Sequence, residues 1–187
     1  MVPITALWLP ILVSAVLVFV WSSVVHMVLA YHRSDYAKLP NEEALLEAMR
    51  GAGVGPGNYS FPHCASPAEM SAPATVEKYN KGPVGLVNVL PSGAPAMGKM
   101  LALWFAFSVV VGVFVAYLTG RALGPGTPYL SVFRFAGTVA FLAYACTHAT
   151  DPIWKGERWG NALKYMVDGL VYGLLTAGAF GWLWPKA

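Results

Sequence analysis

The sequence predicts an all-α integral membrane protein: a four-helix bundle with one long irregular loop between helices 1 and 2. Three observations predict it. Of 187 residues, 57% are hydrophobic and only 11% charged, a balance outside the soluble class. Four segments, about 4–31, 99–120, 129–149 and 161–184, stay apolar for the roughly 20 residues that a bilayer core demands. The stretch 32–98 holds half of the fourteen prolines within residues 51–97, which reads as turns and irregular chain rather than a second domain. Residues 1–187 are accordingly read as one integral membrane domain.

The first segment has no basic n-region and no small-x-small site closing a short apolar run, so it is expected to stay as helix 1 rather than act as a secretory signal. Pro3 and Pro10 lie near its start, where a missing amide proton costs little. Near its end Ser22 and Ser23 precede His26 by four and three residues, so hydroxyl and imidazole share a face. Tyr31, His32 and Arg33 read as the exit into the headgroup layer.

In the long loop, Asn41 is placed to cap a short helix that opens with Glu42 and Glu43 and ends at Gly51. Leu45, Leu46 and Met49 would give that helix one apolar side. Val84–Leu90 is too short to span and reads as a strand or a segment dipping into the interface. His63 and Cys64 are consecutive, which suits no metal pair. Cys146 falls in an apolar helix, so no disulfide framework is expected.

Helix 2 carries Ser108, Gly112, Ala116 and Gly120 at intervals of four. Helix 4 carries Gly169, Gly173, Ala177 and Gly181 at the same interval. Small residues so spaced let backbones approach closely in lipid, and these two stripes predict tight packing of helices 2 and 4, with each other as one option. Leu123-Gly-Pro-Gly-Thr-Pro128 is a tight turn joining helices 2 and 3. Trp154 and Trp159 flank the charged second hairpin loop as interface anchors.

Helix 4 has a second stripe: Asn161, Tyr165, Asp168, Tyr172 and Thr176 share one face. A carboxylate two turns inside a membrane helix must face protein or water. At 1.5 Å per residue His26 lies about 7 Å inside the boundary, Asp168 about 10 Å, and His148 about 2 Å. Tyr144 and Tyr165 fall in the same slab. The candidate ligand-binding layer is therefore His26, Tyr144, His148, Tyr165 and Asp168, with His26 and His148 the favoured partners of Asp168. Arg134 lies toward the opposite face, out of reach.

Several classes are excluded. A net charge of +3 spread over loops leaves no nucleic-acid footprint. There is no Gly-rich phosphate loop, no Gly-x-Ser-x-Gly, no His-Glu-x-x-His and no carboxylate cluster, so no catalytic residue is assigned and the reading leans away from an enzyme. No metal is assigned and no cofactor is expected; haem between His26 and His148 is the remote exception. The leading expectation is a non-enzymatic accessory or interaction subunit of a membrane assembly. It would be surrounded by membrane lipids and joined to other membrane subunits or a second copy. The alternative is a protein handling a small ligand, a lipid or protons at the polar layer.

Asp151-Pro-Ile-Trp-Lys-Gly156, followed by the run from Asp168-Gly-Leu-Val-Tyr172 to Trp184-Pro185, resembles a group of small bacterial inner-membrane proteins of unknown function. The helix end Trp21–Arg33 fits the same group more loosely. The resemblance implies a bacterial cytoplasmic membrane and supplies no catalytic residues. Basic residues concentrate on the side of the long loop (Arg33, Lys38, Arg50, Lys99, Lys155, Arg158, Lys164), against Arg121, Arg134 and Lys186 opposite, so the long loop is expected in the cytoplasm and both termini outside.

Overall fold

A computed structural model describes residues 1–29 and 31–187. In chain order, a single turn Ile4–Leu7 leads into α1 (Trp8–Ser23), which widens into a π-helical stretch, Val24–Leu29, and resumes as a tight turn, Tyr31–Ser34. Then come α2 (Glu42–Gly51), β1 (Gly57–Phe61), α3 (Pro67–Met70), α4 (Pro73–Lys81), β2 (Gly85–Val89), α5 (Met97–Ala122) and α6 (Tyr129–Tyr144). A 3₁₀ turn Cys146–Ala149, α7 (Thr150–Lys155) and α8 (Trp159–Trp182) complete the chain.

The protein is thus mostly helical, with more helices than the four expected. Among the described residues, three stretches are long and apolar enough to cross a membrane: Ile4–Leu29, Met97–Ala122 and Tyr129–Lys155. The third is not one continuous α-helix over 129–149, since it tightens after Tyr144. α8 is long enough to cross, but its glycines and polar stripe make it less apolar than these three.

The chain forms two compact units, Met1–Tyr36 with Ala96–Ala187, and Ala37–Pro95. In the first, α6 packs along α8, and α1 packs against both α5 and α8. Its arrangement suits lipid: Trp8, Leu12, Leu103, Phe114, Leu142 and Leu174 face outward, while Ser14, Ser22, Ser108 and Thr176 are buried. Between them sits a core that includes Val18, Val115, Val132 and Phe180. The inward hydroxyls are satisfied largely by their own helices: Ser14 Oγ donates to the Ile11 carbonyl and Thr176 Oγ1 to the Tyr172 carbonyl.

Both small-residue stripes are used for close approach, but toward different neighbours. A Cβ on Gly112 would meet Ile11 of α1, and one on Gly120 would lie 2.5 Å from the Val2 carbonyl oxygen. The Val2 amide itself donates to the Gly120 carbonyl at 2.8 Å. On α8, Gly169 lies against Tyr144 and Ala145, Gly173 against Phe141, Ala177 against Gly137 and Gly181 against Tyr129. The expected pairing of these two stripes with each other is therefore replaced by α5 on α1 and α8 on α6. Ser108 and Ala116 are buried in the same packing.

The second unit shows that the long connection is not irregular. β1 and β2 form an antiparallel hairpin with Tyr59 opposite Val87 and Phe61 opposite Gly85, so the segment Val84–Leu90 is a strand. The Phe61 ring covers Gly85, where a Cβ would come within 3.0 Å of it. α2 runs over the expected residues, with Glu42 and Glu43 in its first turn and Arg50 in its last. Asn41 stands at its start without making the side-chain cap. Both cysteines are free, and Cys64 Sγ lies 3.6 Å from the Tyr79 hydroxyl.

Candidate functional site

Asp168 is 4% exposed, on the inward face of α8, as its stripe predicts. Its partners come from the end of the first spanning segment. The Tyr31 hydroxyl donates to Asp168 Oδ1, and His32 Nε2 lies 2.7 Å from Asp168 Oδ2. The other ring nitrogen, His32 Nδ1, is 2.6 Å from Asp35 Oδ2. Lys164 Nζ, one turn before Asp168 on α8, donates to Asp35 Oδ1 at 2.6 Å, to Ser34 Oγ at 2.8 Å and to the Tyr31 carbonyl at 3.0 Å. Asn161 Nδ2 donates to the Asp35 carbonyl. A continuous chain Asp168–His32–Asp35–Lys164 thus runs from the buried interior to a partly exposed ammonium.

Burial opposes ionisation of Asp35, but the hydrogen bonds from Lys164 and His32 outweigh it and hold its carboxyl below the usual carboxylate range. The Asp35 charge is matched by Lys164. Among the described residues, no lysine or arginine pairs with Asp168; its one ionisable cationic partner is His32.

The expected layer is assembled only in part. His26 belongs to it, although not as a direct hydrogen-bond partner of Asp168: its ring stacks on His32, 4.5 Å between centroids and 6° from parallel, and Nδ1 donates to the Ser22 carbonyl at 2.9 Å. Tyr165 stacks on the other side of His32 at 4.9 Å. His148 is one place further out, stacked on Tyr165 at 5.2 Å, so it supports the layer without touching the carboxylate. Tyr144 joins a separate aromatic group with Trp104 and Tyr172. The favoured imidazole partners of Asp168, His26 and His148, are corrected to His32, with Tyr31 beside it.

His26 and His32 stand on stretches that depart from a regular α-helix. In a regular α-helix His26 and His32 would be about 9 Å apart along the axis and on different faces. Here the helix is wide over Val24–Leu29 and tight over Tyr31–Ser34, and the two rings stack; π-helical widening recurs at functional sites. Sequence reading assigned Tyr31 and His32 to the headgroup layer and Lys164 to topology, and it overlooked Asp35. The signal available was the i, i+3 spacing of His32 and Asp35, which suits a carboxylate orienting an imidazole.

The metal-ligating types meet here as well: one nitrogen of each of His26 and His32 and a carboxylate oxygen of Asp168 lie within 4.8 Å of one another. Two shallow cavities lie elsewhere, one between α6 and α8, lined by Arg134, Phe141 and Leu170 among others, and one on α6 around Arg134 and Thr138. No protein-family model, curated protein or solved structure matches the chain.

Proposed function

We propose that the chain is a multi-pass protein of a bacterial inner membrane, crossing it with four helices, and that it holds a small cation at the buried Asp168 layer. One observation carries the reading: His32 has a carboxylate on each ring nitrogen. A neutral imidazole has a single N–H, so one of these contacts would set a lone pair against a carboxylate oxygen. With Lys164 matched to Asp35, the layer is short of one positive charge, and a buried charge without a counter-ion is costly. A cation, in competition with a proton, supplies it.

The accessory-subunit reading loses much of its motive, because the small-residue stripes are spent on α1 and α6 within this chain. Membrane lipids suffice as surroundings for the outward apolar residues.

The test is thermal unfolding of untagged, detergent-purified protein against a panel of cations: Na⁺, K⁺, Mg²⁺, Ca²⁺, Mn²⁺, Co²⁺ and Zn²⁺. At least one is expected to raise the wild-type midpoint, as a ligand at about 100 times its Kd contributes ~2.7 kcal/mol. Asp168→Asn, which keeps hydrogen bonding and removes the charge, should lose that gain. If no cation separates the two proteins, the reading is wrong.

The proposed orientation places the long connection in the cytoplasm. In a Cys146→Ser background, a membrane-impermeant thiol reagent should label Cys64 only after the membrane is opened. Labelling in intact spheroplasts would invert the topology.

A further inference from the structure

We infer that the cation is a divalent first-row transition metal, bound by His26, His32 and Asp168; this rests on the cation-binding reading above and gives it a ligand class. The donor set argues first. Two imidazoles and one carboxylate, with a nitrogen or oxygen of each within 4.8 Å of the others, suit Zn²⁺, Co²⁺ or Fe²⁺. Mg²⁺ and Ca²⁺ demand oxygen ligands, and imidazole offers them little.

The surroundings argue second. A ligating histidine almost always donates its other N–H to a carboxylate or a backbone carbonyl, which sets the tautomer and aims the free nitrogen at the metal. Both imidazoles are held that way. His32 Nδ1 faces Asp35 at 2.6 Å, and Asp35 is in turn fixed by Lys164. His26 Nδ1 faces the Ser22 carbonyl at 2.9 Å. Nε2 is the nitrogen left for an ion on each ring, and that of His32 already faces Asp168 Oδ2 at 2.7 Å. Tyr31 holds the remaining carboxylate oxygen, leaving Oδ2 for the ion.

Binding requires His26 to leave its parallel stack on His32, 4.5 Å between centroids and 6° from parallel, because an ion sits in the plane of each imidazole that ligates it. Ligand atoms about 2.0–2.2 Å from a tetrahedral ion lie roughly 3.3 Å from one another. His32 Nε2 and Asp168 Oδ2, at 2.7 Å, must open by about half an ångström as the ion replaces the proton between them. His26 must close in by up to about 1.5 Å. It is the exposed member of the three, on the π-helical stretch, with one hydrogen bond to its own helix, so its ring is the freest to move. Three protein ligands leave a fourth position for water or a small ligand, as at an open site.

Co²⁺ titration of the untagged protein, followed by visible absorption, tests this. Wild type should bind one equivalent, develop the ligand-field bands of a low-symmetry four-coordinate ion, and lose them on adding Zn²⁺. His26→Ala removes a ligand and the ring stacked on His32 but none of the hydrogen bonds of the Asp168–His32–Asp35 chain, so it should fold and bind Co²⁺ at least tenfold more weakly. His63→Ala, which removes a histidine of the other compact unit, should bind as wild type. Unchanged affinity in His26→Ala overturns the inference. So does the case in which Na⁺, K⁺, Mg²⁺ or Ca²⁺ stabilises wild type but not Asp168→Asn while Co²⁺ does not bind; the cation-binding reading then survives without a transition metal. If no cation acts through Asp168, both fall.

Discussion

Asp168→Leu is expected to lower stability by about 2–3 kcal/mol, because a buried donor that loses its acceptor costs about 1–3 kcal/mol and two such donors face this carboxylate. The Tyr31 hydroxyl and the His32 Nε2 side would both meet a methyl group. The loss extends along the chain, since His32 is placed by Asp168 as well as by Asp35. Asp168→Asn should be close to wild type in stability. Its amide oxygen still accepts from Tyr31, and its NH₂ can donate to His32 Nε2 once His32 is neutral with its proton on Nδ1. Reversible unfolding in mixed detergent micelles measures both variants. Should the leucine variant prove as stable as wild type, Asp168 sits at a wet surface and the buried chain is wrong.

Gly169→Ala should be comparably damaging for a steric reason, about 1–3 kcal/mol as for other over-packed interiors. A Cβ there would stand 2.7 Å from the Tyr144 carbonyl oxygen and from Ala145 Cα. These are backbone atoms of the end of α6, so no side-chain rotation relieves the clash. The two helices must separate at the level of the residue next to Asp168, and cation binding should weaken along with stability. Gly98→Ala is the matched control. Nothing lies within 4 Å of a Cβ at that position in α5, and replacing a helical glycine by alanine alone contributes about 0.5–1 kcal/mol of stabilisation. If Gly169→Ala unfolds with wild type, α6 and α8 are not in backbone contact there.

The sequence by itself determined the helical class, the main apolar segments and the inward face of α8. These depend on local rules: the length of an apolar run, the 3.6-residue period and the cost of a carboxylate in lipid. The stripe Asn161–Tyr165–Asp168–Tyr172–Thr176 was legible because all five residues are on one helix. The α2 helix was legible because its acidic first turn and its apolar side are close in sequence. Where the argument had to cross from one helix to another, it depended on assuming straight helices. His26 and His148 were matched to Asp168 by depth alone, and depth does not say which way a ring points. The tertiary structure decided that, setting His32 rather than His26 or His148 against Asp168. Lys164 and Asn161 of α8 hold Tyr31 and Asp35, and Asp168 meets His32. Likewise, a four-residue spacing of small side chains shows that a helix can be approached closely, but not by which neighbour. α1 and α6 took those places, with Gly112 of α5 packed on Ile11 and Gly173 of α8 on the backbone of Phe141.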